Sequence, residues 1–169
     1  MNSFLLDSSC LINLVNSGLY DKLFNSANNF YYISDIVYDE CMTESQSYSL
    51  QKDRIEWMLS NGMLRKYETV YTTDAFLAMK RAYSLGDGET ECLVICTCTE
   101  FLLGCDDRKA RECAIQIIDS NRVHGSLYIL KEAVISGTIS STEAWDAYLM
   151  MKSQGGFLPE LSNKYFDVI

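Results

Sequence analysis

The sequence predicts an α/β fold in which a mostly parallel central sheet is covered by helices on both faces. Short apolar runs typical of strands alternate with longer segments typical of helices. The runs FLL and FLLGC each end in an aspartate just before a helical segment. One proline and nine glycines leave no Pro- or Ser-rich linker. With 169 residues and 48% hydrophobic content, we expect a single domain, residues 1–169, with a helical C-terminal part at about 138–169.

The first part of the chain begins with a strand and a helix. Ser3 to Leu6 is an apolar run, and Cys10 to Val15 carries a helical pattern that Gly18 closes. Phe30 to Ile33 is aromatic and β-branched, which is typical of a strand. The elements predicted next are a short helix at about 20–27, the strand at 30–33, a helix capped by Ser34 or Asp35 that runs to Cys41, a polar stretch at 43–52, and a helix to Leu59.

The second part continues the alternation. Leu64 to Val70 predicts a short edge strand, and Phe101 to Cys105 predicts a buried strand ending at Asp106. The helices predicted around them are one capped by Thr73 or Asp74 that runs to Tyr83, one at 89–99 after the turn 85–88, and others at 108–118, 127–135, 142–153 and 158–166, with a brief strand at 122–123.

The bulk composition excludes several classes of protein. The N-terminal run has no basic residues before it and no cleavage site after it, and no segment reaches the roughly 18 apolar residues of a membrane span. The seven cysteines are odd in number and lie mostly in apolar runs, which favours reduced core thiols over disulfides. Cys92 and Cys96, four residues apart, leave a structural zinc site as the less favoured alternative. We expect a cytoplasmic protein without membrane contact.

The formal charge of −9 argues against a general nucleic-acid coat protein, because nonspecific binding to phosphates is driven by clustered Lys and Arg. It does not exclude a nuclease. An enzyme that gathers carboxylates to hold divalent cations is acidic at its site, and the bound metal reverses the local sign. A basic partner segment is another way to offset the charge.

Candidate functional carboxylates follow the two strands that end in aspartate. Asp7 follows the first strand, and Asp106 and Asp107 follow the FLLGC strand. Ligand sites in open α/β sheets lie at the carboxyl ends of strands. We therefore expect these acids to share one crevice.

Two further acids lie on the apolar faces of predicted helices. Glu40 falls on a stripe with Ile36, Val37 and Cys41, and Glu91 aligns with apolar residues at helical spacing. Burying several carboxylates is expensive unless a cation compensates their charge, and Mg²⁺ prefers such oxygen ligands. Each acid taken alone is more simply a helix cap or a solvated turn residue. Taken together, the four acids Asp7, Glu40, Glu91 and Asp106 favour a divalent metal site.

These motifs together resemble the PIN-domain family, specifically its VapC-like toxin ribonucleases with Gly-Glu-x-Glu and Asp-Asp-Arg motifs. The matching pieces run from residue 4 to about 166 and are FLLDSSCLINL, VYDE, LGDGETECLVIC, LLGCDDRKAREC and GSLYILKEAVISGTIS. Each motif is short, and their order and spacing carry the resemblance.

The resemblance implies a Rossmann-like three-layer α/β/α sandwich, Mg²⁺- or Mn²⁺-dependent cleavage of RNA, a homodimer, and a small antitoxin that blocks the crevice. By motif, Asp7, Glu40, Glu91 and Asp106 would be the catalytic acids. The metal ligands would be drawn from these four together with Glu89, an alternative to Glu91, and Asp107, which could share the role of Asp106. Ser9 would support Asp7 by hydrogen bonding.

Few basic residues accompany these acids. Arg108, Lys109 and Arg111 could contact phosphate oxygens, or could form a solvated helix face paired with Glu112. Two other functions remain open beside an endoribonuclease. One is a catalytically inactive module that binds RNA or protein, and the other is a defence nuclease that cuts structured DNA.

Overall fold

The computed structural model describes residues 2–43, 49–68 and 71–167. Its centre is a five-stranded sheet in which every neighbouring pair of strands is parallel, in the order β3-β2-β1-β4-β5. The strands are β1 (Asn2–Leu6), β2 (Asn29–Ile33), β3 (Leu64–Lys66), β4 (Leu102–Gly104) and β5 (Val123–His124).

Helices connect these strands and flank the sheet. They are α1 (Ser8–Asn16), α2 (Tyr20–Phe24), α3 (Asp35–Thr43), α4 (Ser49–Ser60), α5 (Thr73–Tyr83), α6 (Asp87–Cys98), α7 (Arg108–Ile117), α8 (Ser126–Ile135) and α9 (Ser141–Ser153), with a 3-10 turn at Ser120–Arg122. The predicted three-layer α/β/α fold is confirmed.

Strand β1 occupies the middle of the sheet. Leu5 pairs with Tyr32 of β2 on one side and with Leu103 of β4 on the other. Phe4, Leu5 and Leu6 are fully buried, as expected for a parallel sheet covered on both faces. The carboxyl end of β1 therefore lies directly beside the carboxyl end of β4.

Three of the predicted elements are present with clearly different bounds. The helix predicted at about 20–27 ends at Phe24, the edge strand predicted at 64–70 ends at Lys66, and the helix after the polar stretch already begins at Ser49. Residues 44–48 and 69–70 lie outside the described part of the chain.

The helix predicted at 158–166 is wrong, because that segment contains only a turn near its end. Pro159 lacks an N–H for a helical hydrogen bond. The Tyr148 hydroxyl on α9 instead donates to the Pro159 carbonyl at 2.9 Å and accepts from the Leu161 amide at 3.2 Å. One side chain from the preceding helix thus holds the segment in an irregular path.

All seven cysteines are free thiols, and five of them are buried. Burial raises the pKa of the Cys96 thiol to about 12. Within the described ranges, no helix is long and apolar enough to cross a membrane.

Candidate active site

Asp7 links the end of β1 to the start of α1. Its Oδ1 accepts from the Cys10 amide at 2.7 Å, so the side chain caps the helix. The Ser9 hydroxyl donates to the same carboxylate, 2.9 Å from Oδ1 and 3.0 Å from Oδ2. Asp7 is only 1% exposed. The structure therefore holds a fully buried carboxylate at the central strand end.

Ser9 also connects Asp7 to Asp106. The Asp106 amide donates to the Ser9 hydroxyl oxygen at 3.1 Å, directly after β4. One hydroxyl thus links the ends of the two adjacent parallel strands. The predicted juxtaposition of Asp7 and Asp106 is present in the structure.

The Asp106 carboxylate is fixed at both oxygens. Oδ2 accepts from Asn13 Nδ2 at 2.7 Å, and Oδ1 accepts from the Ser126 amide at 2.9 Å, at the start of α8. Position 125 tolerates no side chain here, since a Cβ on Gly125 would lie 2.5 Å from Asp106 Oδ1. Helices α1 and α8 therefore set the orientation of the acid that follows β4.

The electrostatics of Asp7 follow from its burial. Its pKa is raised to about 7, mainly by burial and with a smaller contribution from the negative charge of Asp106, against hydrogen bonds from Cys105, Cys10 and Ser9 that lower it. A carboxyl group with this pKa is half charged near neutral pH. A nearby cation would stabilise its charged form.

Glu89 faces the same region from α6. It and Asp7 line a small cavity of about 10 Å³, roughly the room for one water molecule. Glu89 Oε2 accepts from the Gly86 amide at 2.9 Å. Burial raises the pKa of Glu89, and the nearby charges of Asp107 and Glu40 raise it as well. Glu89 thus joins the negatively charged crevice.

Asp107 caps the next helix. Its Oδ1 accepts from the Ala110 amide at 2.8 Å at the start of α7. This is the cap role that an isolated acid near a helix start is expected to have. Its charge still lies close enough to Glu89 to raise the pKa of that residue.

Glu40 and Glu91 brace α3 and α6 against each other. Glu40 on α3 accepts from the Gly88 amide at the start of α6, with 2.8 Å between Oε1 and the nitrogen. Glu91 on α6 accepts from the Ile36 amide at the start of α3 at 2.9 Å, and from the Tyr71 hydroxyl at 2.8 Å. Each helix thus supplies a carboxylate that satisfies amide groups at the other's N-terminus.

The three predicted phosphate contacts have different surroundings. Arg108 pairs with Glu112 on an exposed face, with 2.8 Å between Nε and Oε1. Lys109 Nζ donates to the Ser84 carbonyl at 2.5 Å. Arg111 lines a cavity of about 360 Å³ that also reaches Asp106. Arg111 therefore adjoins Asp106, while the charge of Lys109 acts on Glu89, where it opposes the rise in pKa caused by burial.

Comparison with models of known protein families identifies the family of this chain. A family model described as a PIN domain matches residues 3–161, nearly the whole chain. The chain belongs to the PIN-domain family. No curated protein and no solved structure shows a significant match to it.

Membership gives this PIN domain a nuclease-type fold, and PIN-domain nucleases generally use divalent metals. The donors in the crevice are carboxylate oxygens, which suit a hard cation such as Mg²⁺ or Mn²⁺. The buried carboxylate of Asp7 also suits a metal site, because a cation would compensate its charge. Among the described residues, no three His, Cys, Asp or Glu side chains are grouped closely enough as they stand to hold one ion. Their oxygens accept hydrogen bonds from backbone amides, a side-chain amide and a hydroxyl instead.

Sequence reasoning missed the amide side chains of this PIN domain's crevice. Asn13 and Asn16 are 5% and 6% exposed on α1, and Gln51 of α4 donates to Asn16 Oδ1 at 2.8 Å. A signal was available, because Ser9, Asn13 and Asn16 recur at spacings of four and three within an otherwise apolar helix. That pattern marks a buried polar stripe.

Proposed function

We propose that this PIN domain is a Mg²⁺- or Mn²⁺-dependent endoribonuclease of the VapC-like toxin type. The observation that carries the proposal is the pairing of the buried Asp7 with the half-buried Asp106, joined through Ser9 at the ends of adjacent parallel strands. Two acids placed together at this edge are costly without a cation.

Asp7, Asp106 and Glu89 would hold the ion, with Glu40 and Asp107 adding negative charge around it. Such a cation would neutralise the charge of these carboxylates and would supply the lowered pKa of water that phosphodiester hydrolysis needs.

The chain's own residues do the positioning. Ser9 and the Cys10 amide fix the Asp7 carboxylate, and Asn13 with the Ser126 amide fixes that of Asp106. The guanidinium of Arg111, which lines a cavity with Asp106, would neutralise a phosphate oxygen of the substrate. Prealigned groups of this kind reduce the reorganisation required during reaction.

The deciding assay compares single-stranded RNA, transfer RNA and flap DNA in Mn²⁺, with wild-type protein beside Asp7→Asn. We expect RNA cleavage that the substitution removes, with 5′-phosphate and 3′-hydroxyl ends, because water attacks rather than the ribose 2′-hydroxyl. A 2′,3′-cyclic phosphate product would contradict this chemistry. Preferred cleavage of flap DNA would instead support a defence nuclease.

Cleavage should be accompanied by metal binding that is measurable without substrate. Calorimetric titration of the wild-type protein with Mn²⁺ should show binding that Asp7→Asn weakens at least about tenfold. RNA binding that survives Asp7→Asn, with neither Mn²⁺ binding nor cleavage in the wild-type protein, would indicate an inactive binding module.

The toxin assignment also implies partners. We propose a homodimer and a small antitoxin whose basic or apolar segment blocks the crevice, in keeping with the formal charge of −9. Co-expression with the product of a neighbouring gene, followed by size-exclusion chromatography and the cleavage assay, tests both. A stable complex that leaves cleavage unchanged would contradict the antitoxin role.

A further inference from the structure

A second feature of the crevice is a cavity lined by side-chain amides. It has a volume of about 280 Å³, lies between α1 and the segment after α9, and reaches Asp106 and Asp107. Its polar wall carries the amides of Asn13, Asn16, Gln51 and Gln154. Carboxamides are uncharged and present a donor beside an acceptor, so this wall is suited to reading a neutral polar group rather than a phosphate.

The pair formed by Asn16 and Gln51 is incompletely satisfied. Gln51 Nε2 donates to Asn16 Oδ1 at 2.8 Å, which engages one group of each amide. The Asn16 NH₂ and the Gln51 carbonyl make no hydrogen bond within the described residues, and neither is a fully buried atom there. A donor and an acceptor that stay open to solvent are available to a ligand that enters the cavity.

The chemistry that remains is one donor group next to one acceptor group. If the oxygen and nitrogen positions of both carboxamides are exchanged, Asn16 becomes the donor to Gln51. One unbonded donor group and one unbonded acceptor group still remain. The Watson–Crick edge of an unpaired nucleobase offers a complementary combination. A paired base has no such edge free, so the cavity suits single-stranded nucleic acid.

The rim of the cavity supplies a flat apolar surface. Phe157 is fully exposed, and it borders both the amide cavity and the neighbouring cavity that contains Arg111. An exposed aromatic ring beside a polar cavity is what stacking on a base requires.

We propose that the amide cavity selects the nucleobase next to the scissile phosphodiester of a single-stranded RNA. The Asn16–Gln51 pair contacts the base edge, and Phe157 stacks on the base or on its neighbour. The inference rests on the proposed ribonuclease function, in which the carboxylates beside the cavity hold the metal ion needed to cleave the phosphodiester next to the selected base.

Binding is tested without cleavage by using the full-length Asp7→Asn protein. Fluorescence anisotropy with labelled RNA hexamers of A, C, G and U should show that one base is preferred at least about tenfold over the weakest. Gln51→Leu in the same background should reduce this preference to within about threefold. Gln116→Leu, the same change on the exposed face of α7, should leave the preference unaltered.

Stacking is tested at position 157. Phe157→Ala should weaken binding of all four hexamers about tenfold, whereas Phe157→Tyr should keep the affinity. Thermal unfolding of every variant shows whether a loss of affinity reflects a loss of fold. Equal affinity for all four hexamers, or an unchanged preference in Gln51→Leu, would overturn the inference.

Sequencing of the RNA ends left by the active protein separates the two proposals. Cleavage that depends on Asp7 but shows the same base at the cut site in wild-type and Gln51→Leu proteins would overturn the base-selecting cavity alone. Base-selective binding that Gln51→Leu removes, with no cleavage by wild-type protein in Mn²⁺, would contradict the ribonuclease and leave the cavity as a binding site.

Discussion

Asn13 donates its side-chain amide to Asp106 at 2.7 Å, across 93 residues of sequence. Asp106 ends β4, whereas Asn13 lies on the helix that follows β1, so the hydrogen bond joins the two sides of the crevice. Ser9, one turn earlier on α1, accepts from the Asp106 amide. The first helix thus fixes both the backbone and the carboxylate of Asp106.

Substitution of Asn13 should show how much the crevice depends on this contact. Asn13→Ala leaves one oxygen of Asp106 without its donor, and we expect a loss of about 1–3 kcal/mol of unfolding free energy at both pH 5 and pH 8. Asn13→Asp places two carboxylates in contact, so its loss should be larger at pH 8. Urea unfolding at the two pH values measures this. Equal losses for Asn13→Asp at both would contradict the prediction.

The pKa of Asp7 predicts an unusual pH dependence of the metal-free protein. Its folded-state value of about 7 exceeds the ordinary 3.8, so the folded state binds the proton more tightly than the unfolded state. The contribution of Asp7 to the free energy of unfolding therefore falls as pH rises from about 4 to above 7.

Asp7→Asn removes this penalty. In EDTA the variant should unfold at a higher temperature than wild type at pH 8, and the difference should vanish near pH 4. Adding Mn²⁺ at pH 8 should raise the unfolding temperature of wild type and not of the variant. A variant that is less stable than wild type at pH 8 in EDTA would show that burial of the charged form is not costly.

Substitution of Glu91 should mainly reduce stability, whereas substitution of Glu89 should mainly reduce Mn²⁺ affinity. Glu91→Ala deprives the Ile36 amide and the Tyr71 hydroxyl of their acceptor, so we expect a loss of about 1–3 kcal/mol of stability. Glu89→Ala should lower Mn²⁺ affinity about tenfold, with a smaller loss of stability, because Glu89 is half-buried and caps a single amide.

Conservative variants keep this comparison interpretable. Tyr71→Phe removes one hydrogen bond to Glu91 and leaves its charge, so it should cost stability without changing Mn²⁺ affinity. Glu89→Gln and Glu91→Gln preserve side-chain volume. If Glu91→Gln weakened Mn²⁺ binding more than Glu89→Gln in calorimetric titrations, Glu91 would be the metal ligand.

Substitution of Arg111 tests substrate binding, and substitution of Arg108 on the same helix is its control. Arg111 lines the cavity beside Asp106, whereas Arg108 is exposed on the same helix and pairs with Glu112. Arg111→Ala should raise KM for RNA and reduce the salt dependence of binding by about one unit of slope. Arg108→Ala should change neither quantity. Equal effects of the two substitutions would indicate a diffuse electrostatic contribution.

The thiols should differ sharply in reactivity. Cys98 is exposed and Cys113 is partly exposed, whereas the other five are buried. Thiolate is the reactive form, and burial raises the pKa of Cys96 to about 12. Brief treatment of the native protein with iodoacetamide, followed by mass spectrometry, should therefore label Cys98 first. Labelling of Cys92 at a similar rate would contradict the buried position described here.

The sequence predicted those parts of the site that local pattern determines. Apolar runs ending in aspartate located Asp7 and Asp106, because parallel strands end at one edge of the sheet. Helical periodicity placed Glu91 on an inward face, and it is 2% exposed. Periodicity predicts which face of a helix is buried, but it does not predict which other element packs on that face. The meeting of Glu91 with the N-terminus of α3 depended on packing between helices far apart in sequence.

The C-terminal segment shows the same limit. Residues 158–166 have a composition compatible with a helix, yet the Pro159 carbonyl and the Leu161 amide are hydrogen-bonded to the Tyr148 hydroxyl. Such a contact from another element is not encoded in local propensity, which tertiary interactions override.

The central position of β1 has a consequence for the order in which the site is assembled during synthesis. The ribosome makes Asp7 first, but its neighbouring strand β4 comes only at Leu102–Gly104, and the amide that fixes Asp106 belongs to Ser126. Roughly 120 residues after Asp7 must therefore be synthesised before Asp106 can be fixed in place beside it. Until β4 and the start of α8 have been synthesised, a nascent chain of this fold carries no assembled crevice.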